Sequence, residues 1–193
     1  MSNVYPIGGK GGLPSDLMTS AVEGIRRLKV DQESTAYLLG RQFRVSYPLV
    51  IPDETPVTLR VTSPVDFELV SQEVEAHEKG FVFEAFRSLQ GSETGVYDSI
   101  VPIYRNNLQS SVVAYTRTIT IETGGGFTPN VDELPVETIN VLTASSNAQR
   151  TTSFAGANGK RGLPAGVYYL RMSKIGSTGD ALGVYSLIFN ENN

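Results

Sequence analysis

Short segments of period two run through the chain from residue 36 to residue 190, each closed by a turn signal, and they leave few folds open. AYLLGRQFRVSY (36–47), PVTLRVTS (56–63), DFELVSQEVEA (66–76) and GFVFEAFR (80–87) are rich in β-branched and aromatic residues and alternate in polarity. GVYDSIVPIY (95–104), SVVAYTRTITIE (111–122), ETINVLTA (137–144), GVYYLRM (166–172) and GVYSLIFN (183–190) continue the pattern. Such alternation sets one face of a strand on a core and the other toward water. Between the segments stand Ser63-Pro64, Gly91-Ser92, Asn106-Asn107, TGGGFTPN (123–130), GANGKRGLP (156–164) and GSTGD (176–180), which supply the fixed or positive φ that a reversal needs. With no long helical period to cover a single sheet, the expected fold is all-β: an antiparallel sandwich, jelly-roll-like.

The N-terminal stretch reads differently. Residues 1–27 are expected to form an extended arm ahead of a sandwich domain at 28–193, because MSNVYPIGGKGG is glycine-rich and carries only isolated apolar anchors. Tyr5, Ile7, Leu13, Leu17 and Met18 are too sparse for a core but well spaced to lie along a partner's surface. SAVEGIRRLKVDQ (20–32) carries a Ser20/Glu23 capping box, which predicts one or two helical turns before a strand near Arg27.

Composition then excludes several functions. The 16 Lys and Arg against 20 Asp and Glu give a net charge of −4, so a nucleic-acid partner is not expected. Arg26, Arg27 and Lys29 are read as a solvated or partner-facing strand face. The absence of cysteine removes disulfides and thiolate metal sites. No stretch is long and apolar enough for a signal peptide or a membrane span, so synthesis in the cytoplasm and no membrane partner are expected.

Chemistry-bearing motifs are weak. GANGKRGLPAGVYY lacks the Gly-Lys-Ser/Thr followed by a helix that a phosphate loop needs, and Pro164 and a β-rich run stand there instead. The single histidine, His77, lies among Glu73, Glu75 and Glu78, and it is read as part of a polar strand edge rather than a metal ligand. Ser110, Ser111 and Ser177 lack a nucleophile elbow. Asp66, Glu68, Glu73, Glu84 and Glu122 could supply a glycosidase pair, yet spacing alone selects none. The absence of tryptophan argues against a sugar-stacking module. Neither a catalytic residue nor a cofactor or metal is expected.

Several motifs together, LKVDQESTAYLLGRQFRVSYPLVIP, SPVDFELVSQEVE, VLTASSNAQRTTS, and RGLPAGVYYLRM followed by GVYSLIFNEN, resemble small virion structural proteins of tailed bacteriophages. The resemblance spans residues 28–190 and consists of strand and turn patterning without a chemical group to carry over. It implies a β-sandwich subunit displayed on the virion, commonly a homotrimer, that decorates the capsid or forms part of a fibre or neck; of these, a decoration protein that docks on the major capsid protein at the outer surface and cements the head is the expected role. The alternative it leaves open is a tail or head-fibre protein that recognises a host-surface glycan or protein. Phe154, Lys160 and Arg161 join the arm residues as expected docking positions, in a surface loop that leads into a core strand.

Overall fold

The computed structural model describes residues 19–22, 25–28, 36–77, 79–108, 115–142, 150–154, 161–176 and 178–191. The chain divides into two units, 1–35 and 36–193. In the first, β1 (Thr19–Val22) and β2 (Ile25–Leu28) form an antiparallel hairpin in which Thr19 pairs with Leu28 and Val22 with Ile25. The helical turns expected from the Ser20/Glu23 capping box are therefore replaced by strands. Ala21-Val22 and Ile25 suit a strand as well as a helix, and Gly24 removes helix propensity at the middle of the segment.

The second unit is an antiparallel β-sandwich. Its strands are β3 (Gln42–Ile51), β4 (Val57–Ser63), β5 (Phe67–Ala76), β6 (Phe81–Arg87), β7 (Gly91–Thr94), β8 (Ser99–Ile100) and β9 (Tyr104–Arg105). They continue with β10 (Thr120–Thr123), β11 (Gly126–Pro129), β12 (Glu137–Val141), β13 (Arg150–Phe154), β14 (Arg161–Leu163), β15 (Gly166–Lys174) and β16 (Ala181–Glu191). One sheet has the order β12-β6-β15-β4-β10-β8, and the other runs β13-β5-β16-β3-β9 with β14 also on β5. Successive long strands thus alternate between sheets, β3 to β4 and β5 to β6, then β12 to β13 and β15 to β16. A separate two-stranded ribbon pairs β11 with β7.

Burial follows the period of two. On β16 the residues Ala181, Gly183, Tyr185, Leu187 and Phe189 are buried while the alternate ones are half-exposed, down to the polar end of the strand. Their counterparts on the facing sheet are Leu59, Val61, Phe83, Leu170 and Met172, all in one continuous core. Aromatic contacts cross between the sheets: Phe83 stacks on Tyr185 at 5.7 Å and 14°, and Phe67 meets Tyr168 edge-on at 5.8 Å. Each such ring buries a large apolar area, and the pairing geometry adds about 0.5–1.5 kcal/mol beyond that burial.

Some sequence expectations change. Within 36–47, residues 36–38 are helical and the strand starts only at Gln42, after a turn with Gly40 at positive φ. Within 95–104 only Ser99–Ile100 and Tyr104 are strand, and among the described residues of 111–122 only those from Thr120 are. Gly91-Ser92 begins a strand rather than a turn, since the reversal is made by a 3-10 turn at Ser88–Gln90, and half of TGGGFTPN is β11. β-Rich composition here serves irregular segments whose apolar residues, such as Tyr97, Val101 and Ile119, still plug the core from loops.

The irregular stretch before β10 is held by a buried carboxylate. Glu191, 1% exposed at the end of β16, accepts hydrogen bonds from the backbone N–H of Thr118 (3.1 Å) and Ile119 (2.9 Å) and from the Thr118 hydroxyl (3.2 Å). Removing this acceptor strands two backbone donors in or near the core, at about 1–3 kcal/mol each. Glu191→Ala is expected to lower unfolding stability in urea by about 2–4 kcal/mol, and Glu191→Gln, which keeps a carbonyl acceptor, by less. Equal midpoints for wild type and Glu191→Ala would contradict this role.

Candidate interaction site

The outer face of the first sheet carries a second, smaller core. Phe86, Tyr169 and Val167 project from β6 and β15 on the side away from the sandwich interior, and Phe127 and Tyr97 cover them. Phe127 stacks on Tyr169 at 4.2 Å and 11°, and contacts Phe86 at 5.4 Å. Of Tyr168 and Tyr169, one per face as strand alternation requires, the outward one is covered by the chain's own ribbon. Two glycines permit this approach. A Cβ on Gly91 would stand 2.4 Å from the Phe127 ring, and one on Gly125 would stand 2.4 Å from the Tyr97 ring.

Charge seals the margin of this aromatic cluster. The Arg60 guanidinium lies 4.5 Å from the centre of the Tyr97 ring and pairs with Glu122 (2.8 Å) and Glu93 (3.1 Å). Glu93 also accepts a hydrogen bond from the Tyr169 hydroxyl. That bond, then the bond from Arg60, hold the Glu93 carboxyl below the usual carboxylate range. Burial, reinforced by the nearby Glu93 charge, pushes the Tyr97 phenol up to about 12 against the opposing effect of Arg60. These shifts keep Glu93 ionised and Tyr97 neutral, a fixed arrangement in which neither group is poised to exchange a proton near neutrality.

Beside the ribbon, the 3-10 turn and residues 130–134 form a braced tip. The Gln90 side chain accepts from the Arg87 N–H (2.8 Å) and donates to the Leu134 carbonyl (2.7 Å) and to Glu133 (3.3 Å). The Asn130 N–H donates to the Gln90 carbonyl at 2.9 Å, and the Val136 N–H to the Ala85 carbonyl at 2.8 Å. Asp132 takes a positive φ of 70°, which turns the loop. On this frame Leu89 and Val131 are each 90% exposed and Leu134 is 79% exposed. Single exposed apolar residues are common, but three on one hydrogen-bonded loop pair form a prepared apolar surface.

The sequence-predicted docking residues are distributed otherwise. Tyr5, Ile7, Leu13, Leu17, Met18 and Lys160 lie outside the described residues, as do Ser110, Ser111, Ser177 and Glu78. Phe154 ends β13, where its backbone pairs with Gln72. Arg161 opens β14 and forms an ion pair with Glu137 of β12 at 3.0 Å, bridging the edges of the two sheets. An exposed pair of this kind contributes about 0–1 kcal/mol. Below it, a slot of about 40 Å³ between the sheets is lined almost wholly by carbon, with the buried, unpaired Gln72 Nε2 among its lining groups. It is large enough for a few water molecules.

His77 follows β5, its Nε2 3.6 Å from Glu75, and its N–H donates to the Leu182 carbonyl. β5 is an interior strand, flanked by β16 on one side and by β13 and β14 on the other, so the expected strand edge is instead a strand end. Among the described residues no group of three or more His, Cys, Asp and Glu is arranged to hold a metal. Four of the five candidate carboxylates have structural partners: Asp66 accepts from the Ala165 N–H, Glu68 from Asn190, Glu84 from Arg171 and Glu122 from Arg60. The exposed tip went unread because Leu89, Val131 and Leu134 sit in turn-rich sequence, where the alternation used to find strands is absent. Aliphatic residues inside NVDELP, between two prolines and among polar groups, were the available signal.

Comparison of the chain with protein-family models, with curated proteins and with solved structures finds no match.

The phenol of Tyr97 supplies a pH test. A folded-state value of about 12 against an ordinary 10.0 means that its contribution to stability is intact below pH 10 and is lost as pH rises through about 12. Absorbance titration at 295 nm (about the phenolate band) is expected to show late-ionising tyrosines, Tyr97 together with the more strongly raised Tyr169 and Tyr185, and the amplitude of that late phase is expected to fall by one tyrosine in Tyr97→Phe. An unchanged late phase in Tyr97→Phe would contradict the assignment.

Proposed function

We propose that this chain is a non-enzymatic structural subunit of a tailed-phage virion, a capsid decoration protein that docks on the outer shell and cements the head. The virion assignment rests on the sequence resemblance; the observation that carries the docking reading is the braced apolar tip of Leu89, Val131 and Leu134. A subunit that must seat on another protein needs apolar groups held ready at its surface, since ordering them on contact would cost binding free energy. The tip meets that requirement. Burying each of these side chains against a partner would contribute roughly 1.5–3 kcal/mol. The strand order β13-β5-β16-β3 facing β12-β6-β15-β4 is the order we read as a jelly roll, with the ribbon and the short strands β8 to β10 inserted between β6 and β12. The carboxylates engaged in structural bonds support a role without catalysis. No helix among the described residues is long and apolar enough to cross a membrane.

Two measurements test this reading. Undecorated phage heads are incubated with limiting protein, and bound copies are counted by gel densitometry. The triple substitution Leu89→Ser, Val131→Ser, Leu134→Ser is expected to reduce occupancy at least about tenfold while leaving the urea midpoint near that of wild type, because surface positions contribute little to folding. Equal occupancy would overturn the tip as the docking surface. The homotrimer implied by the resemblance is tested by light scattering, which is expected to give three times the 20.9 kDa mass of the chain. A monomer at micromolar concentration would remove the trimer from the proposal.

A further inference from the structure

A different part of the sandwich carries a concavity that the docking reading does not use. At the β9 edge of the second sheet lies a surface concavity of about 550 Å³. Ile103, Arg105 and Leu108 form one wall, Thr116 and Arg117 the other, and the buried Phe43 ring contributes to the floor. Residues 109–114, which connect the walls in sequence, lie outside the described residues. The volume falls in the range of about 300–1,000 Å³ that small-molecule sites occupy.

The two arginines are oriented by the backbone opposite them. Arg105 donates from Nη2 to the Tyr115 carbonyl at 3.0 Å, and Arg117 donates from Nη1 to the Ile103 carbonyl at 3.3 Å, so each wall holds the other's guanidinium. Neither has a carboxylate partner among the described residues, whereas Arg60, Arg161 and Arg171 elsewhere in the sandwich are paired with glutamates. The Arg105 Nε is buried without a hydrogen-bond partner. A buried donor of this kind costs about 1–3 kcal/mol until an acceptor reaches it. In a protein of net charge −4, two guanidiniums held in one concavity, without a carboxylate partner among the described residues, concentrate positive charge locally.

We propose that this concavity binds an acidic saccharide, with a carboxylate on the Arg105 and Arg117 forks. Guanidinium forks match the two oxygens of a carboxylate, and fixed forks lose little entropy on binding. Ile103, Leu108 and Phe43 supply apolar surface for the C–H face of a sugar ring, and the exposed Thr116 hydroxyl supplies a partner for its hydroxyl groups. A sugar acid presents those three features together. A free inorganic anion would use only the forks, and an acidic peptide would need no ring-sized hollow.

Isothermal titration of the full chain with short oligomers of galacturonic and glucuronic acid tests the site. At least one of these uronates is expected to bind with one site per chain, and its methyl ester, the same sugar without the charge, to bind at least about tenfold more weakly. Arg117→Gln is expected to weaken binding by a similar factor with an unchanged urea midpoint, and Arg117→Lys to restore it only in part, since an ammonium lacks the fork. Absence of binding by every uronate overturns the proposal, as does binding that Arg117→Gln leaves unaltered. Inorganic sulfate or phosphate that binds as tightly as the oligomers would replace the saccharide by a free anion, and a tighter oligoglutamate peptide would replace it by an acidic protein segment.

Discussion

Strand β16 is the element on which the sandwich depends. It is the last strand of the chain, and it pairs along nearly its whole length with β3, the first strand of the sandwich, and with β5 on its other side. Half of its side chains enter the core and its final carboxylate fixes the approach to β10. The second sheet therefore cannot close until the C-terminal segment is in place, a non-local pairing of the kind that makes β-sandwiches fold slowly. A register shift between Ile188 and Phe189 on the β5 side sets Asn190 opposite Glu68. From there a polar chain runs across the sheet: Asn190 donates to Glu68 at 2.8 Å and accepts from Gln42 at 3.1 Å, and Asn106 donates to Gln42. Apolar packing thus holds one face of the strand and directed hydrogen bonds hold one end of the other.

The first sheet solves a different problem. Its outer face bears Phe86 and Tyr169, which water would otherwise cover at a cost, and the β7–β11 ribbon folds over them. Arg60 then links the ribbon, through Glu93, to β10, through Glu122. The ribbon also fixes where the 3-10 turn and the 130–134 loop emerge, since they lead into β7 and out of β11. The exposed aliphatic tip is thereby tied to the sandwich at both ends. That link from a secondary core to a presented surface is the feature on which the proposed docking role of the loop pair rests.

The long strands were legible because their residues obey one rule over many positions. The segments 57–63, 67–76, 81–87, 166–174 and 181–191 alternate cleanly, and their observed bounds lie close to those read from polarity. The reading failed where local signals compete. Ala36-Tyr37-Leu38 reads equally as strand or helix, and the capping box at Ser20 was overridden by hairpin pairing. Residues 95–104 and 115–119 carry strand-like composition but are used as core plugs and loop. The proposed sites were least legible, because the loops that carry Leu89 and Val131, and the segments that carry Arg105 and Arg117, are brought together only by topology. Gln90 and Asn130, which join the first pair, lie forty positions apart in sequence.

The central claim is that a β-sandwich presents the 88–90 and 130–134 end toward the shell of a phage head. Electron-microscopic imaging of particles carrying a small electron-dense label on Val131→Cys, in this otherwise cysteine-free chain, tests it most directly. The expected result is many labelled copies distributed over the head, with the label close to the shell surface and the body of the subunit outside it. Label confined to the tail, to a single vertex, or to the outermost radius of the particle would contradict the account.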